Sequence, residues 1–289
     1  MIKENFGKTI GFIRKSKNIT QLELSKGIIS RSNLSRFENG NYEPSFFKVN
    51  ALLERLKISL EEVSYIHNGY RLVEEMALHK RLVAAEINQD LQIITQIDSI
   101  VKVHLKAGQK EFETIYFLTQ MLLAKNNFQT ELTLANLADI IRPRLFNADN
   151  WFLDEFRLLN NFIFLFTVDE ALFFTERAIQ EFTKYENIQI ENNLKVHILM
   201  NMGTLLLQNK ELKKSANYFL RAKRIAKKEN KMNQLMIIDC YLFCIEIAEN
   251  KGDKLTRERL NMRLNLFLEM GYSDQKKYFL SLLTEIFEQ

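Results

Sequence analysis

Residues 21–43, QLELSKGIISRSNLSRFENGNYE, constrain the fold of this chain most strongly, because they carry the signals of two short helices in close succession. Thr20 and Glu23 have the T-x-x-E spacing of a capping box, which marks the start of a helix. Leu22 and Leu24 are expected to form the apolar side of this first helix. The segment therefore predicts a compact helical pair joined by a tight turn.

The second helix of the pair has signals at both of its ends. Gly27 supplies the backbone freedom that a short turn needs. Ser30 is a good N-cap, so the helix is expected to run from Arg31 to about Asn39. Gly40 stands where a left-handed C-terminal cap belongs.

The two faces of this second helix differ in chemistry. Leu34 and Phe37 are three residues apart and are expected to face the core. The outer face carries the side-chain types that read base edges in the DNA major groove: Arg31, Ser32, Asn33 and Arg36. Thr20 and Gln21 are expected to hold a phosphate at the N-terminus of the first helix. The alternative is an amphipathic helical hairpin with a polar outer face.

Charge distribution favours DNA binding over that alternative. Residues 1–66 contain 11 Lys and Arg against 7 Asp and Glu, whereas the remaining residues contain 29 of each. In residues 1–36 the ratio is 8 to 2. A local excess of this kind suits the phosphate backbone, because each neutralised phosphate releases counterions.

The same residues resemble a known family. The pattern resembles the Cro/phage-repressor (XRE) type of helix-turn-helix at Thr20, Gln21, Leu24, Ser25, Ser30, Leu34, Ser35, Phe37, Glu38 and Gly40. Residues 13–45 resemble more narrowly the N-terminus of the Rgg/MutR/GadR regulators of Gram-positive bacteria. Ser25 stands where Ala is usual and Phe37 where Trp is frequent, and both keep the size or apolar character. Beyond this motif the chain resembles the family in length, helical character and scattered positions.

The chain is predicted to be all-α and to contain two domains. A five-helix XRE-type helix-turn-helix domain is expected over residues 1–66, and the turn-forming residues 67–69 mark its boundary. Residues 70–289 lack strand-like alternation and predict eleven helices in antiparallel pairs. We expect them to form a TPR-like helical-repeat domain for ligand sensing and dimerisation.

One helical pair carries a recognisable repeat. Small and apolar residues have tetratricopeptide-like spacing at Leu199, Gly203, Leu206, Ser215, Phe219 and Ala222. Ala171 and Ala178 repeat part of the pattern in the preceding pair. Such pairs stack into a superhelix with a concave inner face. The alternative is a generic helical bundle.

A concave helical array can bind an extended peptide, whose backbone N–H and C=O groups need partners when they are buried. An asparagine amide both donates and accepts. Asn160 and Asn201 fall at matching places in two successive pairs, and the Rgg-type resemblance implies that asparagines so placed clamp a short quorum-sensing peptide. Asn161 is an almost equal candidate, and Arg157 could pair with an acidic side chain or carboxylate. The alternatives are helix-packing amides and a surface arginine.

Other classes of function find no support in the sequence. Nucleotide, metalloprotease and hydrolase motifs are absent, so neither an enzyme nor a cofactor is expected. The four histidines are dispersed, and no metal site is predicted. Cys240 and Cys244 lie one helical turn apart and are interpreted as buried apolar residues, not a disulfide or metal site.

The expected location is the cytoplasm. No stretch approaches the ~20 apolar residues of a membrane span. The N-terminus MIKENFGKTIGF lacks the apolar run of a secretory signal.

These observations predict a peptide-responsive regulator that acts as a homodimer, since one recognition helix contacts too few base pairs alone. C-terminal helices such as 274–288 are expected to contribute to the dimer. The aromatic segment 151–166 is expected to be a buried helix with a further role in subunit contact. The partners are a double-stranded DNA operator, a short signalling peptide and a second copy, with RNA polymerase as a further candidate. Two alternatives remain, a ligand-free dimeric regulator that contacts polymerase and a helical-repeat adaptor with a vestigial N-terminal domain.

Overall fold

The computed structural model describes residues 5–185, 192–250 and 254–287. These residues form α-helices and three short 3-10 helices, with no strand among them, which confirms the predicted all-α fold. The α-helices are α1 (Phe6–Ser16), α2 (Gln21–Ser25), α3 (Arg31–Glu38), α4 (Phe46–Leu56), α5 (Leu60–His67), α6 (Glu74–Ile87), α7 (Leu91–Lys106), α8 (Glu113–Lys125), α9 (Leu134–Asn147), α10 (Leu153–Phe162), α11 (Val168–Glu181), α12 (Asn192–Gln208), α13 (Leu212–Lys228), α14 (Met232–Asn250), α15 (Lys254–Glu269) and α16 (Ser273–Phe287).

The helix count agrees with the sequence interpretation in both parts of the chain. Five helices precede residue 68, and eleven α-helices follow among the described residues. Packing divides the chain into two compact units, Met1–Thr119 and Gln120–Gln289. The first unit thus holds α6 and α7 besides the five N-terminal helices, and a domain boundary at 67–69 stays a prediction. Breaks in the helical pattern of the sequence also predict turns at 187–190 and 251–253, and both lie outside the described residues.

The core of the N-terminal helices draws one fully buried apolar residue from each of them. These residues are Ile10, Leu24, Leu34, Leu52 and Val63. Full burial of such a side chain stabilises a fold by roughly 1.5–3 kcal/mol. The five helices therefore pack around one shared cluster, and this cluster fixes the position of α3.

Capping residues begin the helices where the sequence predicts. The backbone N–H of Glu23 donates to Thr20 Oγ1 at 3.2 Å, and Thr20 N donates back to Glu23 Oε2 at 2.7 Å. Ser30 caps α3 by accepting a bond from Asn33 N at 3.1 Å. Gly40 follows α3 with φ +81°, in the left-handed region that a C-terminal cap requires. The helix ends at Glu38, one residue earlier than expected.

The expectation that Leu22 lies on the apolar side of α2 is wrong. Its side chain is 65% exposed, whereas Leu24 and Ser25 are buried. Residues two apart in a helix point about 200° away from each other. A five-residue helix therefore cannot turn both leucines toward the core, and Ser25 occupies the buried position instead.

A buried ion pair joins α1 to α3. Arg14 Nε and Nη2 donate to the two carboxylate oxygens of Glu38 at 2.6 and 2.8 Å, and the two side chains are only 8% and 7% exposed. Arg14 Nη1 also donates to the carbonyl of Ile19 at 2.8 Å. Burial alone would raise the pKa of Glu38, but the hydrogen bonds from Arg14 and Gln21 outweigh it and hold that pKa below its usual value. The pair fixes the approach of α3 to the opening helix.

In the C-terminal unit, the repeat spacing produces a close crossing of α12 and α13. Ser215 Oγ donates to the carbonyl of Gly203 at 2.7 Å. A Cβ on Gly203 would lie 3.0 Å from the ring of Phe219, which is tighter than most real Cβ contacts, so a larger residue there requires the ring to shift. In the preceding pair Ala171 and Ala178 are fully buried, as the weaker repeat predicts.

Most of the aromatic segment is buried, as expected, but Phe152 is 65% exposed and the α-helix covers only Leu153–Phe162. Trp151, Phe156 and Phe162 are among the largest fully buried side chains. Arg177 of α11 stacks over the Trp151 ring at 5.1 Å from its centroid. The same guanidinium donates to the carbonyl of Leu145 at 3.0 Å and to other carbonyls at the end of α9. It thereby satisfies the orphan acceptors of that helix terminus.

Candidate functional site

The outer face of α3 presents the predicted base-reading residues together. Arg31, Ser32 and Arg36 are exposed, and Asn33 is half-buried. Arg36 Nη2 donates to the carbonyl of Asn41 at 3.3 Å, and its guanidinium carbon lies 6.0 Å from the Tyr42 ring centroid. These contacts hold the Arg36 side chain at the C-terminal end of the helix face.

The two residues expected to hold phosphate have partners within the protein. Gln21 Nε2 donates to Glu38 Oε2 at 2.9 Å, which adds α2 to the ion pair between α1 and α3. Thr20 Oγ1 donates to Glu23 Oε2 at 2.6 Å. Their contact with phosphate stays a prediction. In the structure both side chains make hydrogen bonds within the protein, and these bonds position the start of α2.

Two arginines that were not predicted from the sequence position the helix pair. One is Arg14, whose partner Glu38 lies 24 residues away. The other is Arg55 of α4, whose Nη1 donates to the carbonyl of Leu24 at 3.0 Å and to that of Lys26 at 2.5 Å. Arg55 therefore caps the C-terminal end of α2. Neither contact leaves a local sequence signal, because both link residues far apart in the chain.

The predicted asparagines come together between α10 and α12. Asn201 Nδ2 donates to the backbone oxygen of Asn160 at 3.0 Å and lies 3.2 Å from Asn160 Oδ1. Asn160 Nδ2 in turn donates to Asn161 Oδ1 at 3.2 Å. All three side chains are half-buried. The exposed Arg157 lies on α10 one turn before Asn161.

Two further polar contacts join α12 to α14 and α14 to α16. His197 lies one turn before Asn201, and Gln234 Nε2 of α14 is 3.3 Å from His197 Nε2. Burial lowers the pKa of His197, which favours the neutral imidazole. The hydroxyls of Tyr241 and Tyr278 are 2.9 Å apart.

We call the residues Asn160, Asn161, His197, Asn201, Gln234, Tyr241 and Tyr278 the polar strip. Its members on α14 and α16, Gln234, Tyr241 and Tyr278, were not predicted from the sequence. For His197, its i,i+4 spacing to Asn201 was an available signal.

Among the described residues, no group of three or more His, Cys, Asp or Glu could hold a metal ion. Cys240 and Cys244 are buried free thiols, and burial raises the pKa of each to about 12. They are therefore protonated and inert, as the sequence indicated. None of the described helices has the length and apolarity that crossing a bilayer requires.

Solved structures with the same fold cover nearly the whole chain. A crystal structure from Listeria monocytogenes EGD-e aligns with a TM-score of 0.76 at 19% identity, over 99% of this chain and 98% of that one. The SHP pheromone receptor Rgg2 of Streptococcus dysgalactiae aligns with a TM-score of 0.72 at 15% identity, over 96% and 99%. PlcR of Bacillus thuringiensis, in complex with the peptide PapR7 and DNA, gives 0.67 at 15%, over 96% and 99%. At these identities the likeness shows the fold.

Family models match both parts of the chain. Residues 10–63 match a helix-turn-helix domain, which includes α3 and its exposed arginines. Residues 100–281, more than half of the chain, match the C-terminal domain of the HTH-type transcriptional regulator Rgg. The protein is thus a DNA-binding transcriptional regulator and not an enzyme. The chain belongs to the Rgg family.

Proposed function

We propose that this Rgg-family regulator binds a short signalling peptide along its polar strip and changes its DNA binding in response. The observation that carries the proposal is the meeting of Asn160 and Asn201 across two successive helix pairs. Within the C-terminal unit α10 packs on α12, and α14 packs on α16. In a stack of helix pairs, such first helices form the inner surface.

The chemistry of the polar strip suits a peptide backbone. Its amides and hydroxyls can donate and accept, as a peptide N–H and C=O require. Asn201 Nδ2 already binds a main-chain carbonyl, that of Asn160, so its geometry fits a carbonyl acceptor. Arg157 at the edge of the cluster offers a charge for a carboxylate or acidic side chain.

Relatives of the same fold support the proposal. Rgg2 is a pheromone receptor, and the PlcR structure holds both a peptide and DNA. Another structure with this fold, PrgX, was determined in complex with cCF10. A peptide at the polar strip would therefore agree with what these relatives bind.

Isothermal titration of the full chain with short synthetic peptides encoded beside its own gene tests this proposal. We expect micromolar or tighter binding that weakens at least tenfold, about 1.4 kcal/mol, in Asn201→Ala. Asn217→Ala is the matched control, since Asn217 is exposed on the neighbouring α13. Loss of binding in Asn201→Ala alone, with an unchanged thermal midpoint, supports a peptide site. Equal binding in both variants refutes it, and no binding by any such peptide favours the ligand-free regulator.

For DNA, we propose that the outer face of α3 reads bases, through Arg31, Ser32, Asn33 and Arg36. Thr20 and Gln21 would contact phosphate at the start of α2. Arg36→Ala should cost on the order of 1–3 kcal/mol of specific binding. Arg71→Ala, an exposed arginine outside the helix-turn-helix match, is the control. Operator binding by Arg36→Ala as tight as wild type would remove α3 from base reading.

The proposed signalling route requires two copies. A homodimer would present two α3 helices to a two-fold operator, and peptide would shift the population of dimer geometries. The apolar side chain of Leu280 on α16 is 44% exposed, so this helix can contribute to such a contact. Sedimentation equilibrium of the full chain measures the state directly. A monomer at micromolar concentration, with or without operator DNA, would contradict the dimer.

A further inference from the structure

A cavity of about 480 Å³ opens between three helices of the C-terminal unit. This volume falls in the range of small-molecule sites, roughly 300–1,000 Å³. We call it the α13–α15 groove, and its lining residues are Lys223 of α13, Asp239 and Phe243 of α14, and Arg259, Met262 and Arg263 of α15.

The charges of this groove do not balance. Asp239 is its one acid and is already engaged, with Lys223 Nζ 2.7 Å from Oδ1 and Arg263 Nη2 3.3 Å from Oδ2. Arg259 makes no ion pair or hydrogen bond with any residue that the structure describes. The buried Nε of Arg263 likewise lacks an acceptor among these residues. The guanidinium groups of Arg259 and Arg263 thus line one cavity, and each has N–H groups without an acceptor among the described residues.

The surroundings of the groove increase this positive charge. Helix α13 contains seven Lys and Arg and no acidic residue. Helix α15 contains four Lys and Arg against two Glu, and α14 contains three acidic residues and no Lys or Arg. The three helices together therefore hold eleven basic against five acidic residues. Concave surfaces lined by one sign of charge concentrate the field and attract counter-ions. The groove therefore favours a negatively charged occupant.

Apolar side chains form the rest of the wall. The Phe243 ring and the Met262 thioether line the cavity next to the arginines. An adjoining cavity of about 320 Å³ shares three of the same lining residues and adds apolar side chains together with the acids Glu246 and Glu249. The anionic head of an occupant therefore belongs beside the arginines of the first cavity, with its apolar body against Phe243 and Met262.

The groove is separate from the polar strip. Asp239 and Tyr241 are two residues apart on α14, so their side chains point about 200° away from each other. Tyr241 turns toward Tyr278 and stacks on Phe219 at 4.4 Å between ring centroids. The two sites therefore use opposite faces of α14, and an occupant of one does not cover the other.

We infer that the α13–α15 groove is a second ligand site, which takes an organic carboxylate with an apolar body. The guanidinium groups of Arg259 and Arg263 bind the carboxylate, since planar forks match its two oxygens. Phe243 and Met262 contact the apolar body. The carboxylate belongs either to a free organic acid or to the C-terminus of a peptide.

Isothermal titration of the full chain tests this site with two kinds of probe. The free-acid probe is 4-phenylbutyrate, with 4-phenylbutanol as its uncharged match. The peptide probe is N-acetyl-leucyl-phenylalanine, with either a free or an amidated C-terminus. We expect the charged member of at least one pair to bind at least tenfold tighter than its uncharged match. Whichever pair binds identifies the source of the carboxylate.

Variants locate the binding. Arg259→Gln should weaken the bound probe at least tenfold, and because Arg259 is exposed this change should leave folding intact. Lys254→Gln removes the same charge from α15 outside the groove and should bind as wild type does, and so should Asn201→Ala. The inference is overturned if no carboxylate binds, if Arg259→Gln binds as tightly as Lys254→Gln, or if inorganic phosphate binds as tightly as the carboxylate.

Discussion

Removal of Arg14 should destabilise the N-terminal unit much more than an ordinary surface change. Arg14→Met keeps the length and apolar stem but leaves the buried Glu38 with Gln21 Nε2 as its remaining side-chain donor. Breaking a buried ion pair in this way typically costs about 3–5 kcal/mol.

In Arg14→Met, the free energy of protonating Glu38 sets an upper limit to the cost of keeping its carboxylate charged and buried without Arg14. An ordinary glutamate has a pKa of about 4.3, and each unit between pH and pKa corresponds to about 1.36 kcal/mol. Protonation at pH 7 therefore costs about 3.7 kcal/mol. The lost bond to the Ile19 carbonyl adds about 1 kcal/mol. We therefore expect a loss of about 3–5 kcal/mol at pH 7. At pH 5 the protonation limit falls to about 1 kcal/mol, so the loss should shrink.

Two spectroscopic signals separate the two units in this experiment. The chain has a single tryptophan, and Trp151 belongs to the C-terminal unit. Urea unfolding followed by far-UV circular dichroism should therefore show an early loss of helix in Arg14→Met, while the Trp151 fluorescence transition keeps its midpoint. Lys8→Met changes an exposed cation of the same helix and serves as the control.

A double variant completes the test. Arg14→Met combined with Glu38→Leu removes both charges and should recover most of the lost stability, because apolar replacement of a buried pair is often close to neutral. The predicted role of the ion pair is refuted if the free energies of unfolding of Arg14→Met and Lys8→Met differ by less than about 0.5 kcal/mol, the usual range of surface changes. It is also refuted if the loss in Arg14→Met at pH 5 equals that at pH 7.

Three further predictions follow from single contacts. The lowered pKa of Glu38 stabilises the fold at neutral pH, and this contribution is lost as the pH falls through that lowered pKa. In Glu38→Gln the free energy of unfolding, measured as a function of pH, should therefore fall less on the acid side than in the wild type. Arg177→Lys should lower the free energy of unfolding, followed by Trp151 fluorescence, by about 1.5–3 kcal/mol, because the ammonium cannot reach the same carbonyls; an unchanged free energy would show that these carbonyls find other donors. Gly203→Ala should lower the free energy of unfolding by up to about 2 kcal/mol. Overpacking against Phe219 costs roughly 1–3 kcal/mol, and the higher helix propensity of alanine offsets about 1 kcal/mol of this cost. An increase in the free energy of unfolding would show that the Phe219 ring moves freely.

Local signals in the sequence were sufficient to locate helix starts, and much of the fold follows from them. The Thr20 box and the Ser30 cap depend on residues three apart, so their geometry is encoded where it acts. The exposure of Leu22 could have been predicted, because residues two apart in a helix point in nearly opposite directions and Leu24 already occupies the core face. The repeat around Gly203 was found because close helix crossing restricts residue size.

Contacts between distant segments could not be found in this way. The bonds of Arg14 to Glu38 and of Arg177 to the α9 carbonyls join residues more than twenty positions apart. Any of the many charged residues could have made them. Asn160 and Asn201 were different, because the regular spacing of helix pairs predicts which positions become neighbours. Repetition thus converts a long-range contact into a local pattern.

The hydrogen bond from Asn201 to Asn160 also sets the terms on which a peptide could bind. The protein without ligand already uses Asn201 Nδ2 as a donor to Asn160, so a peptide carbonyl that takes this donor displaces an equivalent acceptor. The exchange therefore gains less than a new hydrogen bond would, and the burial of peptide side chains must supply the rest of the affinity. Selectivity among peptides would then depend on side-chain shape. The exchange also removes a tie between α10 and α12, so that occupancy alters the contact between neighbouring helix pairs.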